Sequence, residues 1–374
     1  MGAPRNYPDS LPMRLRRIGP TEVRERGRSL VYFAGCDYFG LSTHPKVLSA
    51  ARSALDSGGL SVGASRCTTG NHPSYAKLER KLADFFSVPE VVLTSTGYLS
   101  NFAVAAALRG RFTHALIDQY SHGSLQDAVQ LLGIPIHHFG HRDVGAAVRF
   151  AKMAGPEARL TLLTDGMFAH DGAAAPLAEY RAALPARTWL WVDDAHSAGV
   201  LGANGRGTVE LAGLDRGRVV QTGTLSKAFG SYGGFILAPH GVLAAVISQS
   251  SAFVGSTPLP PSLVAGALAA VSLLGQYPEW RAQLLDHAEQ VRVALGAEGW
   301  RVHRGPSPVI SVVPPNPAVA RQICQRLRRA GIHPPLIKYP GGPSDGYFRL
   351  AISRLHTPLQ LKNLVAAFRK DALP

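Results

Sequence analysis

Between about residues 45 and 240 the chain alternates short apolar runs with segments whose apolar positions recur at helical spacing. The apolar runs are residues 90–96, 114–119, 134–140, 158–166, 188–196 and 218–224. The helical pattern occurs in residues 44–57, 74–87, 97–110 and 124–133. Strands that alternate with helices predict an α/β domain with a mostly parallel central sheet and helices on both faces.

The pattern changes after about residue 250, where a proline-rich break precedes a long helical segment. Two apolar runs and two further helical patterns follow, which predicts a smaller C-terminal α+β domain. We therefore divide the chain into an N-terminal arm that belongs to the small domain, a large domain, and a linker helix with the small C-terminal domain: residues 1–45, 46–250 and 251–374.

Polar residues follow five of the predicted strands of the large domain. They are the segments "STGY" (95–98), "DQYSH" (118–122), "TDGMFAHDG" (164–172), "DDAHSAG" (193–199) and "GTLSK" (223–227). In a parallel sheet the carboxyl ends of the strands meet at one edge, where ligands bind. The sequence therefore predicts one polar rim that carries hydroxyls, carboxylates, histidines and a lysine.

The composition is that of a globular protein and argues against a membrane-spanning, secreted or disulfide-rich one. The 374 residues are 46% hydrophobic with a mean hydropathy of +0.04, and no run of about 18 uncharged apolar residues predicts a membrane span. The N-terminus lacks the pattern of a secretory signal. Three scattered cysteines suggest neither a disulfide framework nor a CxxC metal pair, so we expect a cytoplasmic protein without a metal site.

The net charge is +14, but the basic residues are scattered rather than clustered with aromatics, which argues against nucleic-acid binding. A phosphate-bearing substrate such as a coenzyme A thioester explains part of this charge equally well. Only eight of the 39 basic residues are lysines. Lys227 lies in the glycine-rich segment "QTGTLSKAFGSYGG", and this scarcity makes its position informative.

Lys227 has two interpretations. The amine is either a solvated loop lysine or a nucleophile held near an electrophilic cofactor, with glycines that let the backbone approach a ligand. Asp193 ends a buried run, where a carboxylate needs a cationic partner or several hydrogen bonds. A protonated pyridine nitrogen is such a partner, and His196 would reach the same ring. The alternative is an aspartate that caps the next turn.

Two further segments have structural alternatives of the same kind. His122 at a strand–helix junction either is structural or stacks on a flat aromatic cofactor. Thr96, Gly97 and Tyr98 lie at a predicted helix N-terminus, where backbone N–H groups and the helix dipole favour a phosphate. Simple helix capping explains that segment equally well.

The motifs occur together in the order of a known family. They are "DYFGLSTHP", "GASRCTTGNHPSYAKLE", "STGYLSN", "DGMFAHDGAAAPL", "VDDAHSAGVLGANGRGT", "GTLSKAFGSYGG", "STPLPPS" and "FRLAISRLHT". Over residues 30–360 the chain resembles the α-oxoamine synthases, which are fold-type I enzymes dependent on pyridoxal 5′-phosphate (PLP). The resemblance implies that fold, that cofactor and a homodimer with the active site at its interface.

The resemblance also implies individual roles. Lys227 would carry the cofactor and shuttle a proton, Asp193 would hold the ring nitrogen, His196 would contact the phenolic oxygen and His122 would stack on the ring. Other implied contacts are Thr96, Gly97, Tyr98, Thr224 and Ser226 for the cofactor, Ser256 and Thr257 for the phosphate of the other subunit, and Arg349 and Ser65 for substrate.

Two residues depart from the family pattern. Ala169 stands where the family usually has a serine near the cofactor oxygen. His170 replaces a residue that is commonly apolar, and it is either a substrate contact or a solvated neighbour.

The implied activity is a decarboxylative condensation of a small amino acid with an acyl thioester, carried by coenzyme A or a carrier protein. The closest overall similarity is to the branch that joins alanine to a pimeloyl thioester in biotin synthesis. Glycine acetyltransferase and serine palmitoyltransferase specificities are alternatives. A PLP aminotransferase or lyase without acyl transfer is a different class, and a PLP-fold protein without catalysis is a third.

Overall fold

The computed structural model describes residues 14–339 and 342–370, which form two compact units. The first contains residues 44–168 and 174–277, and the second contains residues 14–43, 169–173 and the described residues from 278 onward. The signal-peptide expectation rests on residues 1–17, of which residues 1–13 lie outside the described residues.

Strands of the described residues are numbered in chain order. They are β1 (Arg16–Arg17), β2 (Glu22–Glu25), β3 (Arg28–Tyr32), β4 (Val92–Thr94), β5 (His114–Asp118), β6 (Ile136–Phe139), β7 (Leu160–Asp165), β8 (Trp189–Asp193), β9 (Val219–Thr224), β10 (Gly234–Leu237), β11 (Val309–Val312), β12 (Ile332–His333), β13 (Leu336–Ile337) and β14 (Tyr347–Ala351). Each of the six apolar runs expected in the large domain contains one strand, β4 to β9.

Helices are numbered in the same way. They are α1 (Pro45–Gly58), α2 (Pro73–Phe86), α3 (Gly97–Leu108), α4 (Gly123–Ala128), α5 (Val144–Met153), α6 (Leu177–Ala183), α7 (Thr208–Leu211), α8 (His240–Gln249), α9 (Ser251–Val254), α10 (Pro261–Gln276), α11 (Glu279–Ala297), α12 (Pro317–Arg329) and α13 (Pro358–Ala366). Short 3₁₀ segments cover Leu41–Thr43 and Val129–Leu132. The proline that begins α1 and α2 suits a first helical position, where its missing N–H would have no partner.

The first unit is built on a seven-stranded sheet in the order β4-β10-β9-β8-β7-β5-β6. All neighbouring pairs from β9 to β6 are parallel, and only β10 runs antiparallel to both of its neighbours. The prediction of a mostly parallel sheet is therefore confirmed. We did not predict β10, because its four residues follow directly on the glycine-rich segment of Lys227.

Every residue of β7 and β9 is buried, and β8 is buried except at its first residue. Strands covered on both faces have continuous apolar sequences rather than alternating ones, which is why these runs were recognisable. The register places Asp165 opposite Asp193 and Asp193 opposite Thr222. Asp165 and Asp193 end their strands, and Thr222 lies shortly before the end of β9, so polar residues of three neighbouring strands form one row near the carboxyl edge of the sheet.

The second unit contains a four-stranded sheet, β1-β2-β3-β12, and a three-stranded sheet, β11-β14-β13. Its core joins helices α11, α12 and α13 to apolar strand residues such as Ile310, Phe348 and Leu350. The smaller C-terminal α+β domain is thereby confirmed. Helix α10 belongs to the first unit, which continues to Tyr277, whereas we had expected the large domain to end at residue 250.

Two negative findings hold for the described residues. No helix there combines the length and the apolar character needed to cross a bilayer. Cys36, Cys67 and Cys324 are all unbridged.

Close packing between β9 and β10 generates a prediction about stability. A Cβ at Gly223 would overlap the ring of Phe235 on the opposite strand. We expect Gly223→Ala to lower the free energy of unfolding by about 1–3 kcal/mol, because an overpacked buried ring has to move. Gly241→Ala on α8, where no atom lies within 4 Å of the added carbon, is the matched control. Denaturant titration of both variants measures the effect, and equal stability of the two would contradict this account.

Candidate active site

A cleft of about 220 Å³ opens at the carboxyl edge of the large sheet. It is lined by Thr96, Gly97, Tyr98, His122, Ser124, Asp165, Asp193, Ala195, His196, Thr224, Ser226, Lys227, Tyr232 and Gly233. Nine of these residues had been singled out from the sequence. The polar rim expected from the strand ends is therefore one continuous site within the first unit.

Asp193 is the last residue of β8 and is 7% exposed. Its Oδ2 accepts hydrogen bonds from Asn101 Nδ2 at 2.7 Å and Ser124 Oγ at 3.4 Å. Its Oδ1 accepts one from the Ala195 backbone N–H at 3.0 Å. The turn-capping contact proposed as an alternative is thus present, but it occupies only one of the two oxygens. The rest of the carboxylate lines the cleft, where a cation would complete its hydrogen bonding.

Asp165 is a second carboxyl in the cleft, and the sequence analysis gave it no role. Burial raises its pKa well above the ordinary value, and the neighbouring charge of Asp193 raises it further. The backbone N–H of His122, which donates to Oδ1 at 2.9 Å, and the charge of Lys227 counteract this in part. Two carboxyls at adjacent strand ends therefore differ in environment, and Asp165 tends toward the neutral form.

Lys227 lies in the connection between β9 and β10 and is half-buried. The connection is held by backbone hydrogen bonds from Leu225 N to Gly233 O at 2.9 Å and from Ser231 N to Leu225 O at 2.8 Å. A Cβ at Gly233 would meet the side chain of Leu259 at 2.7 Å. The φ of Gly233, +118°, also lies in the region that favours glycine, so the backbone conformation and the packing of Leu259 both favour glycine at position 233, in addition to any approach of a ligand.

The N-terminus of α3 forms one wall of the cleft. Thr96 caps the helix by accepting a hydrogen bond from Leu99 N at 3.1 Å, so the capping interpretation is correct for this side chain. A Cβ at Gly97 would lie 2.8 Å from Thr224 Cβ, which explains why only glycine fits there. The first turn of α3 thus presents backbone N–H groups to the cleft beside the Thr224 hydroxyl, which is the arrangement that binds phosphate.

His122 has the structural role considered, and it also lies in the cleft, where stacking on a cofactor would require it. Its Nδ1 accepts from the Ser124 backbone N–H at 3.1 Å and caps α4, while the residue lines the cleft. Its ring lies 6.1 Å from that of Tyr98 in an edge-on contact. The Tyr98 hydroxyl in turn donates to Asp127. These contacts fix the plane of the imidazole before any ligand enters.

Asp194 holds the loop that carries His196, a function that the sequence analysis missed. The carboxylate is fully buried and accepts hydrogen bonds from the hydroxyls of Ser197 and Thr208, and from Gln221 Nε2 at 2.6 Å. Burial raises the pKa of Asp194, and these donors counteract the rise. His196, two residues later, is 7% exposed and lines the cleft.

Three predicted site residues lie elsewhere in the first unit. Ser65 donates its hydroxyl to Val254 O at 2.6 Å, and Ser256 donates to Ala252 O at 2.5 Å. The carbonyl of Thr257 accepts from Ser95 Oγ at 2.8 Å. None of the three lines the cleft of its own chain.

Arg349 belongs to the second unit and is 9% exposed on β14. Its Nε donates to the Ala169 carbonyl at 2.5 Å and its Nη2 lies 3.6 Å from Cys36 Sγ. Burial alone would lower its pKa, but Cys36 and Tyr38 raise it above the ordinary value, so the guanidinium stays charged. The backbone carbonyl of Ala169 therefore binds Arg349, whereas the side-chain hydroxyl of the family serine is absent at this position.

The alternative of a solvated His170 is wrong. The residue is 7% exposed in the second unit, and its Nε2 lies 3.5 Å from Asp171 Oδ2. A buried imidazole beside a carboxylate is a fixed part of that unit rather than a surface substitution.

Comparison with known proteins places the chain in a family. The aminotransferase class I and II model matches residues 30–368. The chain is 35% identical to the 8-amino-7-oxononanoate synthase of Methylococcus capsulatus over 361 residues, which are 95% of this chain and 92% of the relative. The corresponding enzyme of Thioalkalivibrio sulfidiphilus is 34% identical over 95% of this chain and 91% of the relative.

Solved structures agree with these relatives. A serine palmitoyltransferase from S. paucimobilis, which holds PLP joined to myriocin, superposes with a TM-score of 0.88 at 28% identity and covers 95% of this chain and 90% of its own. The 8-amino-7-oxononanoate synthase of Francisella tularensis has the same fold, with a TM-score of 0.78 at 22% identity over 91% of this chain and 97% of its own. The chain belongs to the aminotransferase class I and II family and, within it, to the α-oxoamine synthases.

The cleft fits the PLP that such a relative holds. A buried carboxylate suits a protonated pyridine nitrogen, and a half-buried lysine amine lies in the same cleft for an aldehyde. The N-terminus of α3, which glycine at position 97 allows to pack beside Thr224, suits the phosphate.

The raised pKa of Asp165 generates a prediction about pH. The folded protein keeps this proton above about pH 4, where the unfolded chain has lost it, so the contribution of Asp165 to stability falls as pH rises through the folded pKa. We expect Asp165→Asn to remove that fall, so that the variant gains stability relative to wild type as the pH rises above the ordinary aspartate pKa of about 4.

Thermal unfolding of the cofactor-free protein across this pH range measures the difference. Asp56→Asn, at an exposed position of α1, is the matched control and should follow the wild-type curve. Parallel curves for Asp165→Asn and wild type would show that Asp165 is ionised in the folded protein.

Proposed function

We propose that this enzyme condenses a small amino acid with an acyl thioester, with loss of carbon dioxide, to give an α-amino ketone. The supporting observation is that relatives named 8-amino-7-oxononanoate synthase align over 95% of the chain, while one cleft gathers a lysine, two carboxyls, two histidines and an open helix N-terminus. The preferred substrates are alanine and a pimeloyl thioester, as in biotin synthesis.

The cleft residues hold the cofactor in this proposal. Asp193 binds the ring nitrogen, His122 stacks on the ring and His196 contacts the phenolic oxygen. The backbone N–H groups of the first turn of α3, with the hydroxyls of Thr224 and Ser226, bind the phosphate. When bound, PLP supplies an electron sink for negative charge at the α-carbon of the amino acid.

The chain's own groups then move the protons. The Lys227 amine takes the α-proton, and the new carbon–carbon bond forms to the acyl carbon as the thiol leaves. The α-carboxyl group departs as carbon dioxide, and Lys227 returns a proton to the same carbon. Arg349 is proposed to bind the substrate carboxylate, because a charged guanidinium suits planar bidentate contact.

Serine with a long-chain acyl thioester is the second candidate. Several serine palmitoyltransferase structures superpose with TM-scores of 0.87 to 0.89, whereas the 8-amino-7-oxononanoate synthase of Francisella tularensis gives 0.78. Backbone similarity therefore favours one specificity while the names of the sequence relatives favour the other. Both specificities use the same residues for cofactor chemistry.

Thiol release decides between these specificities. With PLP present, glycine, alanine, serine and threonine are each paired with acetyl-, pimeloyl- and palmitoyl-coenzyme A. We expect thiol release only with alanine and pimeloyl-coenzyme A, and release with serine and palmitoyl-coenzyme A would establish the second candidate. Lys227→Ala should abolish release in a folded protein, whereas Lys77→Ala, at an exposed position of α2, should retain it. If wild-type protein binds PLP but releases no thiol from either coenzyme A or carrier-protein donors, the protein is a PLP enzyme that does not catalyse condensation.

We also propose that the enzyme is a homodimer in which Ser256 and Thr257 complete the phosphate site of the other subunit. Both residues lie outside the cleft of their own chain, although the family resemblance assigns them to the cofactor. Each site would then need Lys227 from one chain and these two hydroxyls from its partner.

Subunit mixing tests the shared site. Lys227→Ala protein and a Ser256→Ala/Thr257→Ala double variant are each expected to be impaired, since every site lacks one component. After unfolding and refolding together at equal amounts, half of the dimers are mixed and each has one complete site. Activity should therefore recover to about one quarter of wild type. The shared site would be contradicted if the refolded mixture is dimeric by light scattering but its activity does not exceed the average of the two separate variants.

A further inference from the structure

Asn101 is buried completely on α3, one turn after the helix begins, and it contacts four other polar side chains. Its Oδ1 accepts hydrogen bonds from Trp191 Nε1 at 3.1 Å and from Thr222 Oγ1 at 2.8 Å. Its Nδ2 donates to Asp193 Oδ2 at 2.7 Å and to Ser124 Oγ at 2.9 Å. Both amide hydrogens and both oxygen lone pairs are therefore used, so the side chain has one orientation.

The tryptophan determines that orientation. An indole N–H is a donor only, so the Asn101 atom that faces Trp191 has to be the oxygen. The amide NH₂ then has to point at the carboxylate of Asp193. A hydrogen bond to a carboxylate is stronger than one between neutral groups, so this contact restrains the carboxylate firmly.

The Asn101 amide is also connected to His122 through the hydroxyl of Ser124. Ser124 Oγ accepts from Asn101, which leaves its own hydrogen for His122 Nδ1 at 2.8 Å or for Asp193 Oδ2 at 3.4 Å. The Ser124 backbone N–H also donates to Nδ1, which makes Nδ1 the unprotonated ring nitrogen. Asn101 is thereby connected to the carboxylate at one wall of the cleft and to the imidazole at another.

We propose that Asn101 is a positioning residue that holds the Asp193 carboxylate aimed into the cleft, with Trp191 and Thr222 holding its amide in place. The inference rests on the role proposed above for Asp193 as the partner of the cofactor ring nitrogen. A carboxylate that rotated away from the cleft would hold that nitrogen less well. Asn101 therefore controls cofactor affinity and α-proton removal without lining the cleft itself.

Two substitutions separate this role from a general effect on folding. Asn101→Asp keeps the shape and still accepts from Trp191 and Thr222, but it replaces the NH₂ donor with an oxygen facing Asp193. Thr222→Val removes one of the two donors that hold the amide oxygen. The matched control is Thr161→Val on β7, because Thr161 is equally buried and its hydroxyl has no hydrogen-bond partner among the described residues.

The dissociation constant for PLP is measured by absorbance titration of the cofactor-free proteins, whose thermal unfolding is recorded first. We expect Asn101→Asp to raise it about 10- to 100-fold, the range for loss of a hydrogen bond to an ionised group. Thr222→Val should act in the same direction by about 3- to 10-fold, as for one neutral hydrogen bond. Thr161→Val should leave the dissociation constant unchanged.

Exchange of the substrate α-proton provides a second readout. Its maximal rate should fall in Asn101→Asp by about the same factor as the affinity, while KM for the amino acid changes less than about threefold. Wild-type affinity for PLP in folded Asn101→Asp would overturn the inference. If that variant does not fold, identical behaviour of Thr222→Val and Thr161→Val would overturn it. PLP affinity is measurable whether or not thiol is released, so this result is independent of the proposed condensation.

Discussion

The carboxylate of Asp193 lies almost out of water at the end of β8, held by three hydrogen bonds that leave part of it facing the cleft. A buried anion that is only partly satisfied is unfavourable, so the surrounding structure has to supply rigid donors and a site for a cation. The donors come from α3, from α4 and from the turn after β8. Three elements that are distant in sequence are therefore fixed relative to one another by a single charged group.

The adjacent carboxylate shows the opposite solution to the same problem. Asp194 receives all of its hydrogen bonds from within the protein, including those from Thr208 and Gln221, and it fixes the loop of His196. Asp193 is the last residue of β8 and lines the cleft, whereas Asp194, the first residue after the strand, is buried in the interior. The pair "DD" at positions 193 and 194 thus divides into a group that binds a ligand and a group that supports it.

The sequence predicted the parallel sheet and nine cleft residues because both depend on local signals. Buried strands have continuous apolar runs, and polar residues at their ends converge wherever such strands are parallel. It could not predict Asn101, whose importance arises from contacts 23 to 121 positions away. It also could not predict the role of Asp165, because the environment of that carboxyl depends on the register between β7 and β8. The antiparallel β10 was missed because it begins at the end of the glycine-rich segment of Lys227, where the pattern favours a turn.

The glycines around Lys227 have roles that the sequence pattern alone did not predict. We had expected them to admit a ligand, but Gly97 on the facing helix is required by packing, since a side chain would collide with Thr224. Gly223 is likewise required by the ring of Phe235, and Gly233, whose φ is +118°, packs against Leu259. The same close packing that stabilises the β9–β10 pair therefore determines where the lysine amine lies. A substitution that loosens this packing would displace the amine from the cleft without touching any residue that contacts a ligand.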